Sequence, residues 1–391
     1  MILSRRGRKA FRLNDLVACV VLGVLVLGLF APAAEKPRDA AARTACQNNL
    51  KMLGLSVHNY ASAYQSKIPA LTCDVKRPKY GAYNGNMFFS LLPFLEQEQY
   101  FETGLKNPKN TWYAATAPAT TLPFSTTPPG KDGTPLSSHP FDVFQCPADR
   151  TIVKGLSANQ TYTHTKTTPY YFPWAASSYA ANFQVFGTMN QLDGGGDSGG
   201  NFCAPVFNIG NIPDGTSNTI FFGEQFAACG SSAGSLWAYP GIGNYSDKAY
   251  TEGAPAPHGA NGLSNTEKET TGKYWAPVFA NSSKKFGFAE GGIDGSIFRH
   301  HNPLPEDGKA GKRDKKPIAA PYAANRYWDA PPQVDIKQAQ CDKSRLQSFH
   351  PSGLNIGMGD GSVRFVTGKV TQPTWYSAVC PADGYPLGAD W

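Results

Sequence analysis

The stretch Thr44-Ala-Cys-Gln-Asn-Asn-Leu-Lys-Met-Leu-Gly-Leu-Ser-Val-His-Asn-Tyr60 decides the fold. Its apolar positions recur every three or four residues, at Cys46, Leu50, Leu53, Val57, Tyr60 and, beyond the quoted segment, Tyr64. This spacing is typical of one face of an amphipathic helix. The helix is expected to end before Pro69, because a residue that precedes proline disfavours the α conformation. We therefore predict that residues 35–68 are helical and that their apolar stripe packs against an antiparallel β-sheet.

An uncharged apolar run comes before this helix, from Leu16 to Phe30, and residues 31–34 extend it. A transmembrane helix needs about 20 apolar residues, so residues 16–34 are a candidate lipid-contacting span of minimal length. Lys and Arg are concentrated in the first ten residues, which predicts an N-terminus inside the cytoplasm and a head outside it. Pro32 and Pro37 are expected to kink or break the helix between its two halves.

Composition limits the class of protein. The chain has 391 residues, of which 12% are aromatic and 17% charged, with 40 Gly and 31 Pro. This much aromatic surface excludes a chain that is disordered throughout, and a single long apolar run excludes a polytopic membrane protein. The net charge of +7 comes largely from the leader, so no nucleic-acid partner is expected. The profile favours a loop-rich, β-containing exported protein.

The remainder of the chain indicates an α+β fold. We divide the whole chain into a basic leader at 1–10, a membrane helix at 11–34, its amphipathic continuation at 35–68 and an extracytoplasmic α+β head at 69–391. Short β-rich runs lie at residues 182–187, 219–222, 274–280 and 354–366.

The last β-rich run predicts a C-terminal hairpin, residues 350–366, with its turn at Asp360-Gly361. Leu354, Ile356 and Met358 alternate along the first strand and are expected to face the long helix. Val363 and Phe365 are expected to supply cross-strand partners on that same face. His350 and the turn are then structural, with the His350 ring bonding loop backbone at the hairpin.

The N-terminal segment Lys9-Ala-Phe-Arg-Leu-Asn-Asp15 resembles a prepilin signal, in which a basic leader is cleaved before Phe and an acidic residue stands fifth in the mature chain. On this resemblance Ala10, Phe11 and Asp15 are candidate processing residues. Ala31-Pro32-Ala33 also fits the small-residue pattern of signal peptidase, so two cleavage sites remain open.

Six sequence blocks from residue 44 to residue 361 together resemble the bacterial prepilin-type family called domain of unknown function 1559 (DUF1559), whose C-terminal signature is H-x9-DG. The matching residues, read as a structural signature, are Cys46, Asn49, Leu50, Cys146, Pro147, Asp214, Gly215, Thr216, Asn218, Glu224, His350, Asp360 and Gly361. The resemblance implies a pilin-like or pseudopilin-like fold with a type II secretion-type N-terminus, in which a long helix packs on an antiparallel sheet. It implies no activity, because the role of the family is undefined.

Cysteine spacing bears on redox state and on metals. The eight Cys residues contain no C-x2-C pair, which disfavours a zinc ribbon or a thioredoxin site. Seven of them follow the apolar run, so up to three disulfides and one free thiol are expected in an oxidising compartment, with the pairing left open.

Three patterns suggest chemistry but are weaker than their structural alternatives. Gly196-Asp-Ser-Gly-Gly200 spells the nucleophile loop of trypsin-like proteases, yet no suitable His precedes it. His300 and His301, or His350 with Asp360, could be metal ligands, but their spacing does not place them on one face. The acidic loop 193–197 could bind calcium, although its oxygen-ligand pattern is incomplete. We therefore expect neither an enzyme nor a metal or other cofactor.

Two functions remain. The first is a non-enzymatic, single-pass protein of the bacterial inner membrane, which contacts lipid through residues 16–34 and joins a homo- or hetero-oligomeric pilin-like assembly. Asp15 favours it, because an acidic residue there can meet a neighbour's N-terminal amine. The second is an exported module that recognises glycan or protein through aromatic-rich loops, and exposed Trp and Tyr beside a sugar-sized cleft would favour it.

Overall fold

A computed structural model of the chain describes residues 13–73, 85–105, 136–158, 175–187, 207–230, 233–238, 277–279, 330–342 and 345–391. The chain forms two compact units, Met1–Thr44 and Ala45–Trp391. Helix α1, Leu13–Ala63, contributes residues to both units. The helix continues through Pro32 and Pro37, so these prolines do not end it.

The described part of the first unit is helical. Its exposed large apolar side chains are Leu16, Val17, Val20, Val21 and Leu22. Within the described ranges, no helix combines the length and the apolar character that crossing a membrane requires.

The second unit is built around a five-stranded sheet in the order β11-β10-β6-β5-β9. Its strands are β5 (Tyr179–Asn182), β6 (Ile220–Glu224), β9 (Val278–Phe279), β10 (Gly353–Met358) and β11 (Val363–Thr367). The pairs β11–β10, β10–β6 and β6–β5 are antiparallel, whereas β5 and β9 are parallel. Helices together with this mixed sheet confirm the α+β class, although the expected sheet was purely antiparallel.

Shorter elements surround this sheet. Among the described residues, the other helices are α2 (Met87–Leu91), α3 (Glu98–Leu105), α4 (Phe183–Phe186) and α5 (Gln372–Val379). The paired short strands there are β1 (Thr72–Cys73) with β2 (Gly85–Asn86), β3 (Ile152–Val153) with β4 (Leu156–Ser157), and β7 (Ala228–Cys229) with β8 (Ala233–Gly234). Single 3-10 turns occupy Leu92–Leu95, Leu136–Ser138, Asp142–Phe144 and Gln338–Gln340.

The amphipathic stripe of α1 is buried as predicted. Leu50, Leu53 and Val57 have no exposed surface, and Tyr60 is 3% exposed. They belong to an apolar cluster that also contains the sheet residues Tyr179, Ala181 and Phe222. By contrast Leu55, on the opposite side of the helix, is 50% exposed. The helix ends at Ala63, before Pro69 as expected but five residues short of the predicted end at 68, so Tyr64 lies beyond it and is only partly buried.

The C-terminal hairpin is also confirmed, but its faces are reversed from the prediction. Leu354, Ile356 and Met358 pack in a second apolar cluster with the α5 residues Trp375 and Tyr376, on the face away from α1. The strand pairing places Val363 and Phe365 opposite Gly357 and Asn355, so they share the α1 face instead. Alternation along a strand fixes which residues share a face, whereas the choice of face depends on what packs there.

One predicted strand is a helix in the structure. Residues 182–187 begin at the last residue of β5 and then form α4, because the Asn182 side chain accepts a hydrogen bond from the Gln184 backbone N–H and caps a helical turn.

Candidate functional site

A row of polar side chains crosses the α1 face of the central sheet on three adjacent strands. Tyr179 of β5 lies opposite Glu224 of β6. Ile356 of β10 lies opposite Gly223, which places Asn355 beside Glu224. All three polar side chains are fully buried. The row lies where the helix approaches the sheet. Gly357 is on the same face, and a Cβ atom at this position would lie 3.6 Å from the Leu50 carbonyl oxygen.

Glu224 is the centre of this site. Its Oε2 accepts a hydrogen bond from the Asn355 backbone N–H at 2.9 Å, and its Oε1 accepts one from Asn355 Nδ2 at 2.7 Å. The third contact is His350 Nε2, 3.2 Å from Oε1. A buried carboxylate is tolerated when its oxygens are hydrogen-bonded, and both oxygens of Glu224 are.

His350 lies in the bend before β10 and is 4% exposed. Ser348 fixes its backbone, because the Ser348 hydroxyl accepts a hydrogen bond from the His350 N–H at 2.9 Å. The ring Nε2 faces Glu224 and also lies 3.9 Å from the Cys146 sulfur. The expectation that this ring bonds hairpin backbone was therefore wrong: its contacts are a carboxylate and a sulfur.

A disulfide between Cys46 and Cys146 closes the site on the α1 side, joining residues 100 positions apart. Cys46 comes from α1, and Cys146 from the loop that follows the 3-10 turn Asp142–Phe144. Asn49 fixes this loop on the helix, since its Nδ2 donates to the carbonyl oxygens of Asp142 at 3.1 Å and Gln145 at 3.0 Å. Pro147 directly follows the second cysteine.

The helix also reaches the polar row through side chains. Gln47 Nε2 donates to Asn355 Oδ1 at 3.0 Å, and the Tyr179 hydroxyl donates to the Cys46 carbonyl oxygen at 3.3 Å. Burial, and then the nearby Glu224 carboxylate, raises the pKa of Tyr179 well above its ordinary value. Tyr179 is therefore a neutral hydrogen-bond donor at physiological pH.

A second buried carboxylate, Asp149, lies close to the Cys146 loop. Its oxygens accept hydrogen bonds from the Thr151 hydroxyl at 2.6 Å, the Ser178 hydroxyl at 2.9 Å and the Ala227 N–H at 3.1 Å. Burial raises the pKa of Asp149 to about 6, although these hydrogen bonds act in the opposite direction. Asp149 thus ties the Cys146 loop to Ser178, directly before β5, and to the segment after β6.

The remaining signature residues form a separate cluster at the hairpin turn. The Asp360 N–H donates to the Thr216 carbonyl oxygen at 3.1 Å, and the Asp360 side chain accepts from the Ser362 N–H at 2.9 Å. Gly361 has φ +81°, a conformation that favours glycine. His58 of α1 binds this turn through Nε2, 2.9 Å from the Gly359 carbonyl oxygen. These contacts dock the turn on the loop before β6 and on α1.

The loop before β6 is held at its other end by the C-terminal segment. Asp214 accepts hydrogen bonds from the backbone N–H groups of Asp383 at 2.6 Å and Gly384 at 2.8 Å. Asn218 Nδ2 donates to the Asp214 carbonyl oxygen at 3.0 Å, and Gly215 has φ +87°. Burial, followed by the neighbouring Asp214 carboxylate, raises the pKa of Asp383 to about 7.

The predicted signature therefore divides into two places. Cys46, Asn49, Leu50, Cys146, Pro147, Glu224 and His350 lie at or beside the disulfide, and Asp214, Gly215, Thr216, Asn218, Asp360 and Gly361 lie at the hairpin turn. Sequence reasoning missed Asn355, Gln47 and Tyr179 as members of the site. Their signal was weak, because isolated polar residues in a β-rich run, or beside the apolar stripe of an amphipathic helix, are expected to face solvent.

Several predicted features lie outside the described residues: Ala10, Phe11, His300, His301, and the loops 193–201 and 303–317. The side chain of Asp15 is likewise not described. The calcium, protease and aromatic-loop interpretations depend on such segments, so they stay untested predictions.

The family model described as "Protein of unknown function (DUF1559)" matches residues 35–372. The chain belongs to the DUF1559 family. No curated protein matches it significantly, and neither does any solved structure. Both clusters described above lie within the DUF1559 match, except Asp383 and Gly384 of the C-terminal segment.

Proposed function

We propose that this DUF1559 protein is a non-enzymatic, membrane-anchored protein of the bacterial envelope, with a pilin-like helix and a disulfide-bonded head outside the cytoplasm. The observation that carries the proposal is a group of exposed apolar side chains near the start of α1. Leu16, Val17, Val20, Val21 and Leu22 are each 53–66% exposed. Large apolar side chains exposed together on one segment mark a surface that contacts lipid or another protein.

The surrounding sequence favours lipid as the contact of these exposed side chains. The apolar run of residues 16–34 has a helical length of about 28 Å, close to the roughly 30 Å of a bilayer core. The basic leader before it has the charge bias of a cytoplasmic flank. Basic flank, apolar helix and folded head then follow in the order expected of a single-pass protein.

The disulfides support a head outside the cytoplasm. Cys46–Cys146 and Cys229–Cys341 join residues 100 and 112 positions apart. Such bonds persist in oxidising compartments and are rare in the cytosol. An assembly role follows from the pilin-like resemblance, in which neighbouring subunits pack their N-terminal helices together.

The test places a charge on each half of the same helix. In full-length protein, Val20→Asp and Val21→Asp change two side chains near the start of the helix, which are 58% and 54% exposed, and Leu55→Asp changes one in its second half that is 50% exposed. A charge within a bilayer costs about 2.5–3.5 kcal/mol. A double variant, Val20→Asp with Val21→Asp, should therefore move the protein from carbonate-washed membranes to the soluble fraction, whereas Leu55→Asp should not.

Two results would contradict the proposal. Release of the wild-type protein by carbonate would exclude a lipid anchor, and so would equal behaviour of the Val20→Asp/Val21→Asp double variant and the Leu55→Asp variant. Mass spectrometry of the mature N-terminus adds the processing step, since a chain beginning at Phe11, Ala34 or Met1 corresponds to prepilin cleavage, signal-peptidase cleavage or no cleavage.

A further inference from the structure

We infer that Cys46, Cys146, Glu224 and His350 form a Zn²⁺ site when the Cys46–Cys146 disulfide is open. One ligand atom from each of these residues lies within 4.8 Å of all the others. The four side chains come from α1, the Cys146 loop, the end of β6 and the bend before β10, so the tertiary fold alone brings them together. Each residue is at most 4% exposed.

The donor set matches the chemistry of zinc. Structural zinc sites use four donors in a tetrahedron, drawn from thiolate sulfur, imidazole nitrogen and carboxylate oxygen. Thiolate ligands select zinc over magnesium or calcium, which prefer oxygen. Two sulfurs, one imidazole and one carboxylate therefore favour zinc here.

The distances that already exist suit such a tetrahedron. Ordinary zinc–ligand bond lengths put nitrogen and oxygen ligands about 3.3 Å apart and nitrogen and sulfur ligands about 3.5 Å apart. His350 Nε2 lies 3.2 Å from Glu224 Oε1 and 3.9 Å from Cys146 Sγ. The two sulfurs must separate, to about 3.8 Å in the same geometry, and the distance from His350 Nε2 to Cys146 Sγ must shorten slightly.

The surroundings of Glu224 also suit a ligand. Ligating side chains in zinc sites are oriented by hydrogen bonds from a second layer of residues. Asn355 donates to both carboxylate oxygens, and Gln47 in turn donates to Asn355. Asn355 is thus a positioning residue, which holds the carboxylate without itself touching the metal.

Opening and filling the site is a balanced reaction. A phosphine and one water reduce the S–S bond to two thiols: the phosphine takes the water oxygen and becomes a phosphine oxide, and the two water hydrogens become the thiol protons. Zn²⁺ then displaces both thiol protons, giving two Zn–S bonds. The metal with two thiolates carries no net charge, so a filled site has the same charge as the disulfide form with a neutral imidazole.

The second disulfide provides a matched control. Cys229–Cys341 closes a loop of similar length, 112 residues against 100. Within the described part of the chain, no His, Asp or Glu completes a metal-ligand group with this pair. Reduction should therefore create a zinc site at the first disulfide but not at the second.

The experiment uses the full chain, reduced anaerobically with a phosphine and then given ZnCl₂. Reduced wild-type protein is expected to bind one more Zn²⁺ than the Cys46→Ser/Cys146→Ser variant in competition with a chromophoric chelator. The Cys229→Ser/Cys341→Ser variant should keep that site. Asn355→Leu should lower its affinity about 10–100-fold, and His350→Phe should lower it further.

Two further measurements separate a built site from scattered thiols. Co²⁺ bound to the reduced wild type should show tetrahedral thiolate spectra, which change in His350→Phe. Zn²⁺ should also raise the denaturation midpoint of the reduced chain, because a ligand that binds only the folded state stabilises it. Equal zinc uptake by the wild type and the Cys46→Ser/Cys146→Ser variant would overturn the inference, as would a reduced chain that zinc does not stabilise.

Discussion

Replacing Glu224 tests whether the buried polar row stabilises the head. Glu224→Leu keeps the approximate volume but leaves three buried donors without an acceptor: the Asn355 N–H, Asn355 Nδ2 and His350 Nε2. Each unpaired donor costs about 1–3 kcal/mol, so the three together cost about 3–9 kcal/mol. Burying leucine returns about 1.5–3 kcal/mol. With the middle of each range, the expected net loss is about 4 kcal/mol, a large part of a typical stability of about 5–15 kcal/mol.

Glu224→Gln should cost less, because the amide keeps one acceptor oxygen. Its NH₂ group now faces a donor, and this accounts for the cost that remains. A lost hydrogen bond to a charged group corresponds to about 1.5–3 kcal/mol. Urea denaturation of the oxidised protein measures both variants, with the exposed residue Glu98 changed to Leu as the control. That control should stay within about 0.5 kcal/mol of the wild type.

A double-mutant cycle identifies the partner. Glu224→Leu combined with His350→Leu removes one of the three unpaired donors, so the double variant should lose less than the sum of the two single variants. Coupling of about 0.5–3 kcal/mol is expected for groups in contact. The reasoning is refuted if Glu224→Leu is as stable as the wild type, or if the two changes are additive.

Three further predictions concern the rest of the head. Leu53→Asp should unfold it, since a buried unpaired charge costs several kcal/mol, while Leu55→Asp should leave the thermal midpoint nearly unchanged because this side chain is 50% exposed. Gly361→Val should cost about 1–2 kcal/mol at φ +81°, and the same change at Gly210, which has open space around it, should cost less in the same thermal melt. The pKa of Asp383 is raised from 3.8 to about 7, so the stability from its protonated form is full below pH 3.8 and lost as the pH rises through 7. The free energy of unfolding should therefore fall less in Asp383→Asn than in the wild type between pH 4 and pH 8. A wild type that loses no more stability than the variant across that range would contradict this assignment.

The sequence by itself determined the elements whose periodicity is local. The stripe from Cys46 to Tyr60 repeats every three or four residues, and all of its members are buried. Asp360-Gly361 specified a turn, and the hairpin forms on either side of it. These features depend on backbone geometry over a few residues, which neighbouring side chains are enough to fix.

Only the tertiary structure decided which faces and which distant residues meet. Alternation could not tell that Ile356 packs against α5 and that Asn355 faces α1, because both arrangements satisfy a period of two. The pairing of Cys46 with Cys146, across 100 residues, could not be inferred from local spacing. Glu224 and His350 became neighbours because β6 and β10 pair in the sheet while α1 covers it. Several residues of the site could therefore be named from the sequence, but their proximity depends on the packing of one helix against three strands.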